Sequence, residues 1–274
     1  VQASSTWNPP TGTLGAIVDE ARARARALSK RAGELERQAA EAPNVPSFGI
    51  ALQQSTTVAV IAEVKRKSPS KGWIQPNLDA AAQARAYESA GAAAISVLTE
   101  PKHFAGSAED LVMVRSAVAV PVLKKDFHVE PLQLLEAKGL GASAALLIVR
   151  ALGPDGLAQM MKAADDYGIE VLVEIRDERE LDWALQHGAD IVGINNRDLE
   201  TLAIDPSRSE RLLKAVPEWV VAIAESGVQG RSDVERVGQA GANAVLVGSS
   251  LSGAANVADA VRALVGVRRG LRGR

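Results

Sequence analysis

The sequence predicts a (β/α)8 TIM barrel with an extra N-terminal helical extension, and three observations lead there. The first is a repeat. Gly91-Ala92-Ala93-Ala94-Ile95-Ser96-Val97, Gly141-Ala142-Ser143-Ala144-Ala145-Leu146-Leu147, Gly188-Ala189-Asp190-Ile191-Val192 and Gly241-Ala242-Asn243-Ala244-Val245-Leu246 each set a glycine suited to a left-handed helix cap just before an apolar strand. Gly168-Ile169-Glu170-Val171-Leu172-Val173 is a looser fifth copy. The second is alternation. With the apolar runs at 58–65, 121–125 and 220–225 there are eight candidate strands, separated by helical patterns, and eight such units imply a closed parallel sheet. The third is the position of charge. Glu63, Lys65, Lys125, Glu174, Asn195-Asn196-Arg197 and Glu225 fall at the ends of apolar runs and not at their starts. Buried ions are costly unless paired, so charges repeated at one end of successive strands imply a single site assembled from many loops. A doubly wound open sheet is the alternative, but Glu63-Val64-Lys65-Arg66-Lys67 stands where that fold usually carries a Gly-rich fingerprint.

The elements follow in order along one domain spanning residues 1–274. Residues 1–13, polar and containing Pro9-Pro10, read as a flexible leader without the apolar core of a signal peptide. In the extension, 14–46, Leu14, Ile17, Val18, Ala21, Ala25, Leu28, Ala32 and Leu35 follow helical spacing until Pro43 and Pro46 stop the helix. Its arginines, Arg22, Arg24, Arg26 and Arg31, lie mostly elsewhere on the wheel. They read either as a solvated face or as part of a flap over the barrel mouth that adds positive potential for an anionic substrate. The barrel occupies 57–265, with helices expected near 79–90, 108–117, 130–139, 154–167, 177–187, 207–215, 230–240 and 254–265. Residues 266–274, basic and Gly-rich, read as a flexible tail.

Composition narrows the function classes. A chain of 274 residues, 47% hydrophobic, buries a large core, and a net charge of −2 supplies no global field for nucleic acid or an anionic membrane. Apolar runs are far too short to span a bilayer. With no cysteine there is no disulfide or thiolate chemistry, which fits a cytoplasmic setting, and three dispersed histidines offer no metal-ligand cluster. His103, His128 and His187 read as structural, His187 suiting a helix C-terminus.

Strand parity assigns directions. Side chains alternate along a strand, so Glu63 and Lys65 share the inward face with Ala59 and Ile61, Lys125 with Leu123 and Phe127, Glu174 with Leu172, and Asn195 with Gly193 and Arg197. The rim at the strands' C-terminal ends, where barrel enzymes hold their reactive groups, thus collects two carboxylates, two lysines, an amide and a guanidinium. Lysines desolvated beside carboxylates are expected to donate protons near neutral pH. After the last two strands, Glu225-Ser226-Gly227 and Gly248-Ser249-Ser250 occupy the barrel's usual phosphate-binding position.

These residues resemble the indole-3-glycerol phosphate synthase family. The likeness is carried by Glu63-Val64-Lys65-Arg66-Lys67-Ser68-Pro69-Ser70-Lys71-Gly72, Ile95-Ser96-Val97-Leu98-Thr99-Glu100, Lys124-Lys125-Asp126-Phe127, Leu146-Leu147-Ile148-Val149, Val173-Glu174, Asn195-Asn196-Arg197-Asp198-Leu199, Ala224-Glu225-Ser226-Gly227 and Val247-Gly248-Ser249-Ser250-Leu251, in the family's order over roughly 14–265. Two departures are Lys124, where arginine is usual, and His128, where a β-branched residue is common. The resemblance implies conversion of 1-(2-carboxyphenylamino)-1-deoxyribulose 5-phosphate to indole-3-glycerol phosphate, with loss of carbon dioxide and water, in tryptophan biosynthesis. It implies Lys125 as the acid of ring closure, and Lys65, Glu63 and Glu174 as the groups of the dehydration. It further implies that Asn195, Arg197 and Ser68 orient the substrate, that Phe127 and Leu146 wall the aryl ring, and that Ser226, Gly227, Gly248 and Ser249, with Lys65, hold the phosphate. No cofactor and no metal is implied, the partner is a small phosphorylated substrate with other pathway enzymes as possible associates, and the chain is expected to act as a monomer. The rival readings are another phosphate-binding barrel, such as phosphoribosylanthranilate isomerase, and a non-catalytic phosphate-binding barrel.

Overall fold

Eight parallel strands close on themselves in sequential order, each hydrogen-bonded to the next and the last to the first, in a computed structural model that describes residues 7–272. They are β1 (Ala59–Val64), β2 (Ala94–Leu98), β3 (Val122–Lys125), β4 (Ala144–Ile148), β5 (Glu170–Ile175), β6 (Ile191–Asn195), β7 (Val221–Glu225) and β8 (Ala244–Val247). Closure pairs Ala59 with Ala244 and Ile61 with Leu246. The strands are apolar on both faces because each face meets a different core. Ala59, Ile61, Leu123, Leu146, Leu172, Ile223 and Leu246 fill the interior, while Val60, Val97, Val122, Leu147, Val173 and Val245 pack outward against the helices. The cap glycines read from the repeat, Gly91, Gly141, Gly168, Gly188 and Gly241, all carry positive φ, so the chain leaves each helix in a conformation that side-chain-bearing residues rarely adopt.

The extension is more elaborate than one helix. It contains α1 (Gly12–Leu28), a turn of 3-10 helix, α2 (Ala32–Ala40) and a further short helix, α3 (Phe48–Gln53), which the sequence reading did not anticipate. The first two pack on different surfaces. Leu14, Ile17, Val18 and Ala21 of α1 join the cluster at the barrel mouth, whereas Leu35 and Ala39 of α2 pack against Leu135 on the outside. By contrast, α3 closes the floor. Phe48 and Leu52 are fully buried in the interior cluster, and Glu170, at the start of β5, accepts hydrogen bonds from the Ser47 hydroxyl at 2.8 Å and from the amides of Phe48 and Gly49.

The barrel helices are α4 (Ala80–Ser89), α5 (Ala108–Ala117), α6 (Pro131–Gly139), α7 (Val149–Tyr167), α8 (Glu178–Gln186), α9 (Ser207–Leu213), α10 (Arg231–Gln239), the single turn α11 (Ser249–Ser252) and α12 (Val257–Arg262). Gly153, at φ 69° and ψ 177°, breaks α7 into a first turn and a main helix beginning at Pro154. A small antiparallel hairpin, Lys67–Ser68 with Gly72–Trp73, rises from the loop after β1.

The described parts of the expected leader and tail make contacts with the barrel. Residues 1–6 and 273–274 lie outside the described residues, but Trp7 packs on Gly153 and its indole N–H donates to the Arg150 carbonyl at 3.3 Å. At the other end Val58 donates to the Val267 carbonyl, Thr57 bridges Arg268, and buried Arg272 donates to Asn243 and to the carbonyls of Glu218 and Val220. Arg272, which looks solvated in sequence, is held here by carbonyls more than fifty positions away.

Candidate active site

Every residue expected at the site borders one of two adjoining recesses at the C-terminal mouth of the barrel. Lys125, Lys65, Glu63, Glu174, Asn195, Ser226, Ser68, Phe127, Leu146, Arg197 and Ser249 line the recess under α1, and Gly227 and Gly248 line its neighbour beyond Glu63 and Lys65. The strand ends supply the charged groups, since the last inward position of β1, β3, β5, β6 and β7 carries Glu63, Lys125, Glu174, Asn195 and Glu225.

Lys125 is the hub. Its ammonium lies 3.3 Å from Glu225 Oε2 and 3.6 Å from Glu174 Oε2. Burial opposes its charge, but Glu225, Glu174 and Glu63 outweigh that penalty and raise its pKa above the ordinary lysine value. The surrounding carboxyls thus exceed the cost of dehydration and hold the proton on the ammonium. Burial pushes Glu225 up to about 8, with the negative charges of Glu174 and Glu63 adding to the shift against the pull of Lys125. Its Oε1 is buried without a hydrogen-bond partner.

Glu63 and Lys65 form a second pair, with Nζ 2.7 Å from Oε1 and the Ser96 hydroxyl 3.4 Å from Oε2. Burial would protonate Glu63, yet Lys65 and Lys125 together lower its pKa. Two glycines make room for these carboxylates. A Cβ on Gly193 would collide with Glu225 Oε1, and one on Gly248 with Glu63 Oε1. Arg197 is oriented by its loop, with its amide on Asn195 Oδ1 at 2.9 Å and Nη1 donating to the Leu202 carbonyl at 3.0 Å.

The recesses differ in character. Leu14, Ile17, Phe104, Phe127, Leu146, Ile148 and Leu199 form an apolar slot on one side. On the other, the turns after β7 and β8 bring Ser226, Gly227, Gly248, Ser249 and Ser250 around a polar hollow that Lys71 of the hairpin also borders. Ser226 and Gly227 adopt φ of 61° and 86°, successive left-handed residues that turn the backbone sharply at the rim.

Several contributors have no role assigned from sequence. Glu225 stood in a recognised strand-end motif, and its parity with Ile223 was the available signal. Leu14, Ile17, Leu199 and Lys71 gave none, because only tertiary packing brings them to the mouth. Arg22, Arg24 and Arg26 of α1 line neither recess. Arg24 is engaged by Asp126 at 2.6 Å and Glu100 at 3.5 Å, and Arg22 pairs with Asp19. His128 also faces away from the slot. It is buried, its ring nitrogen pairs with the Leu146 carbonyl at 2.8 Å, and burial lowers its pKa to about 4. Glu20, Glu100 and His103 converge closely enough to hold an ion. Their oxygens are already occupied, by Lys102 and His103 on Glu20 and by the amides of Lys102, His103 and Phe104 on Glu100, so the cluster fastens α1 to the loop after β2.

Solved structures resemble the chain in fold at low identity. A thiamine phosphate pyrophosphorylase from Pyrococcus furiosus, 15% identical, matches with a TM-score of 0.58 over 78% of this chain and 95% of that one. Sequence comparison is far more specific. An indole-3-glycerol phosphate synthase 2 from Streptomyces coelicolor is 45% identical over 259 residues, covering 93% of this chain and 100% of that one. An indole-3-glycerol phosphate synthase from Mycobacterium ulcerans is 44% identical, covering 93% and 94%. The family model for indole-3-glycerol phosphate synthase matches residues 14–264, from the first buried leucine of α1 to the last barrel helix, and with it the chain belongs to the indole-3-glycerol phosphate synthase family.

Proposed function

We propose that this site closes, decarboxylates and dehydrates 1-(2-carboxyphenylamino)-1-deoxyribulose 5-phosphate to give indole-3-glycerol phosphate, with Lys125 as the first proton donor. The observation that carries the residue assignment is the position of the Lys125 ammonium, between an apolar slot and a polar hollow and among carboxylates. The aryl ring enters the slot against Phe127 and Leu146, the phosphate occupies the hollow at Ser226, Gly227, Gly248 and Ser249 with Lys65 beside it, and the ribulose carbonyl between them meets Lys125.

The chemistry follows from that placement. As the aryl carbon bearing the carboxylate attacks the carbonyl carbon, the carbonyl oxygen takes a proton from Lys125. The raised pKa keeps that proton in place beforehand, and a developing alkoxide is basic enough to accept it. Carbon dioxide then departs and its bonding pair restores the aromatic ring. Dehydration requires an acid for the leaving hydroxyl and a base for the proton on the carbon next to nitrogen. Glu63 already accepts from Lys65 and Ser96, so Glu174 is the freer base and Lys65 the acid. Arg197 and Asn195 orient the carboxylate and hydroxyls together with Ser68, a guanidinium being matched to a planar carboxylate.

A cytoplasmic monomer is proposed as the working form, because every group named above comes from one chain. No helix among the described residues is long and apolar enough to cross a membrane.

Turnover followed by indole fluorescence tests the assignment. Lys125→Ala is expected to lower kcat by about 10²–10⁴-fold, the usual scale for losing a general acid. Ser226→Ala with Ser249→Ala is expected to weaken both substrate and inorganic phosphate. Near-parent turnover in the first variant, or unchanged phosphate affinity in the second, overturns the corresponding role.

A further inference from the structure

We infer that Glu200 is a positioning residue that fixes the walls of the aryl slot, an inference that rests on the reading of that slot given above. Glu200 lies at the tip of the loop after β6 and accepts hydrogen bonds from three other parts of the chain. The Thr11 amide and hydroxyl reach its Oε1 at 3.1 and 3.4 Å. Arg150 Nε and Nη2 meet its two oxygens at 3.1 and 2.9 Å, and Arg176 Nη1 meets Oε2 at 3.2 Å. Thr11 is the N-cap residue of α1, Arg150 follows β4, and Arg176 follows β5. One carboxylate therefore joins the start of the helix over the mouth to the loops after three successive strands.

Arg150 extends the junction by donating to the Asn8 carbonyl at 2.7 Å while its own carbonyl receives the Trp7 indole N–H. The groups so tied border the site directly. Leu199, next to Glu200, lines the slot with Leu14 and Ile17 of α1, and Leu202, whose carbonyl holds Arg197, lies in the same loop. Isolated exposed ion pairs contribute little, but here the Arg150 and Glu200 side chains are only 13% and 21% exposed and the contacts are multidentate. Glu200 touches no reacting atom in this scheme. It acts by setting where α1 and the Arg197 loop sit relative to each other.

Two substitutions separate positioning from charge. Glu200→Ala and Glu200→Gln remove the same charge, but only the amide retains an oxygen able to accept from Thr11 and Arg150. Affinities for 2-aminobenzoate, as an aryl probe, and for inorganic phosphate are measured alongside kcat, KM and thermal stability. Glu200→Ala is expected to weaken 2-aminobenzoate and raise KM by about tenfold, the scale of coupled contacts, with phosphate affinity within about twofold of the parent. Glu200→Gln recovers most of the loss, and adding Arg150→Ala to Glu200→Ala costs little more. Equal losses in both variants and for both probes would make the effect one of field strength and overturn the inference. So would a lower melting temperature with parent-like KM and aryl affinity. A parent protein that does not turn over the carboxyphenylamino substrate sinks the underlying reading instead, a result distinct from either variant outcome.

Discussion

At the scale of single residues the site is a charge problem, since the buried carboxyls of Glu63, Glu174 and Glu225 converge near two lysines. The structure eases it by shifting one carboxyl toward its protonated form. Glu225 takes that part because it is fully buried and lies beside other carboxylates. This has a signed consequence for stability. A carboxyl with an ordinary value of 4.5 and a folded value of about 8 binds a proton in the folded protein that the unfolded chain has released, so stability falls as pH rises between those values. Glu225→Gln imitates the protonated form and removes the penalty. Its melting temperature, relative to the parent, is expected to rise steadily from pH 5 to 8 and then level off. Parallel melting curves across that range would mean that Glu225 is ionised throughout. The pairing of Glu63 with Lys65 was legible in sequence from parity alone, whereas the protonation of Glu225 was not, because it depends on the distances among side chains from three strands.

At the scale of elements, strands and cap glycines could be read because their constraints are local. An apolar run buried on two faces, or a glycine needing positive φ after a helix, is written within a few residues. The short floor helix α3 was not legible because its N-terminal amides are satisfied by Glu170, more than 100 positions away. For α1 the apolar stripe predicted a buried face, but its arginines gave a misleading cue. Arg24 is consumed by Asp126 and Glu100, so α1 serves the mouth through apolar contact and not through a positive field. Leu14→Ala with Ile17→Ala is therefore expected to raise KM by roughly tenfold, about 1.4 kcal/mol or the worth of fewer than two buried methylenes, since only part of each side chain borders the recess, while kcat changes less. The increase should be the same at low and high ionic strength, since no charge is altered. A strongly salt-dependent increase would return the arginines to the substrate's field.

At the scale of the whole molecule the two ends of the barrel divide the work. The mouth carries buried charge in an arrangement that folding alone would not favour, and the floor carries devices that hold the barrel shut. Arg272 is the clearest of these. Its guanidinium reaches Asn243, just before β8, at 2.9 Å, and the carbonyls of Glu218 and Val220, just before β7, and burial lowers its pKa from the free arginine value. Asn243 in turn accepts from the Ala222 amide at 3.0 Å, so one polar cluster joins the C-terminal segment to the starts of the last two strands. Arg272→Ala takes this partner from the Glu218 and Val220 carbonyls, while Asn243 Oδ1 keeps the Ala222 amide, at an overall cost of about 1–3 kcal/mol. For a chain of this size that corresponds to a fall in melting temperature of several degrees, on the order of 2–4 °C per kcal/mol. Because the cluster lies at the opposite end of the strands from Lys125, kcat and KM measured well below the transition are expected to match the parent. A variant that keeps its melting temperature would show that water replaces the guanidinium at no cost. One that loses kcat while staying folded would show that strain at the floor is transmitted through β7 to Glu225, and that the two ends of the barrel are not independent.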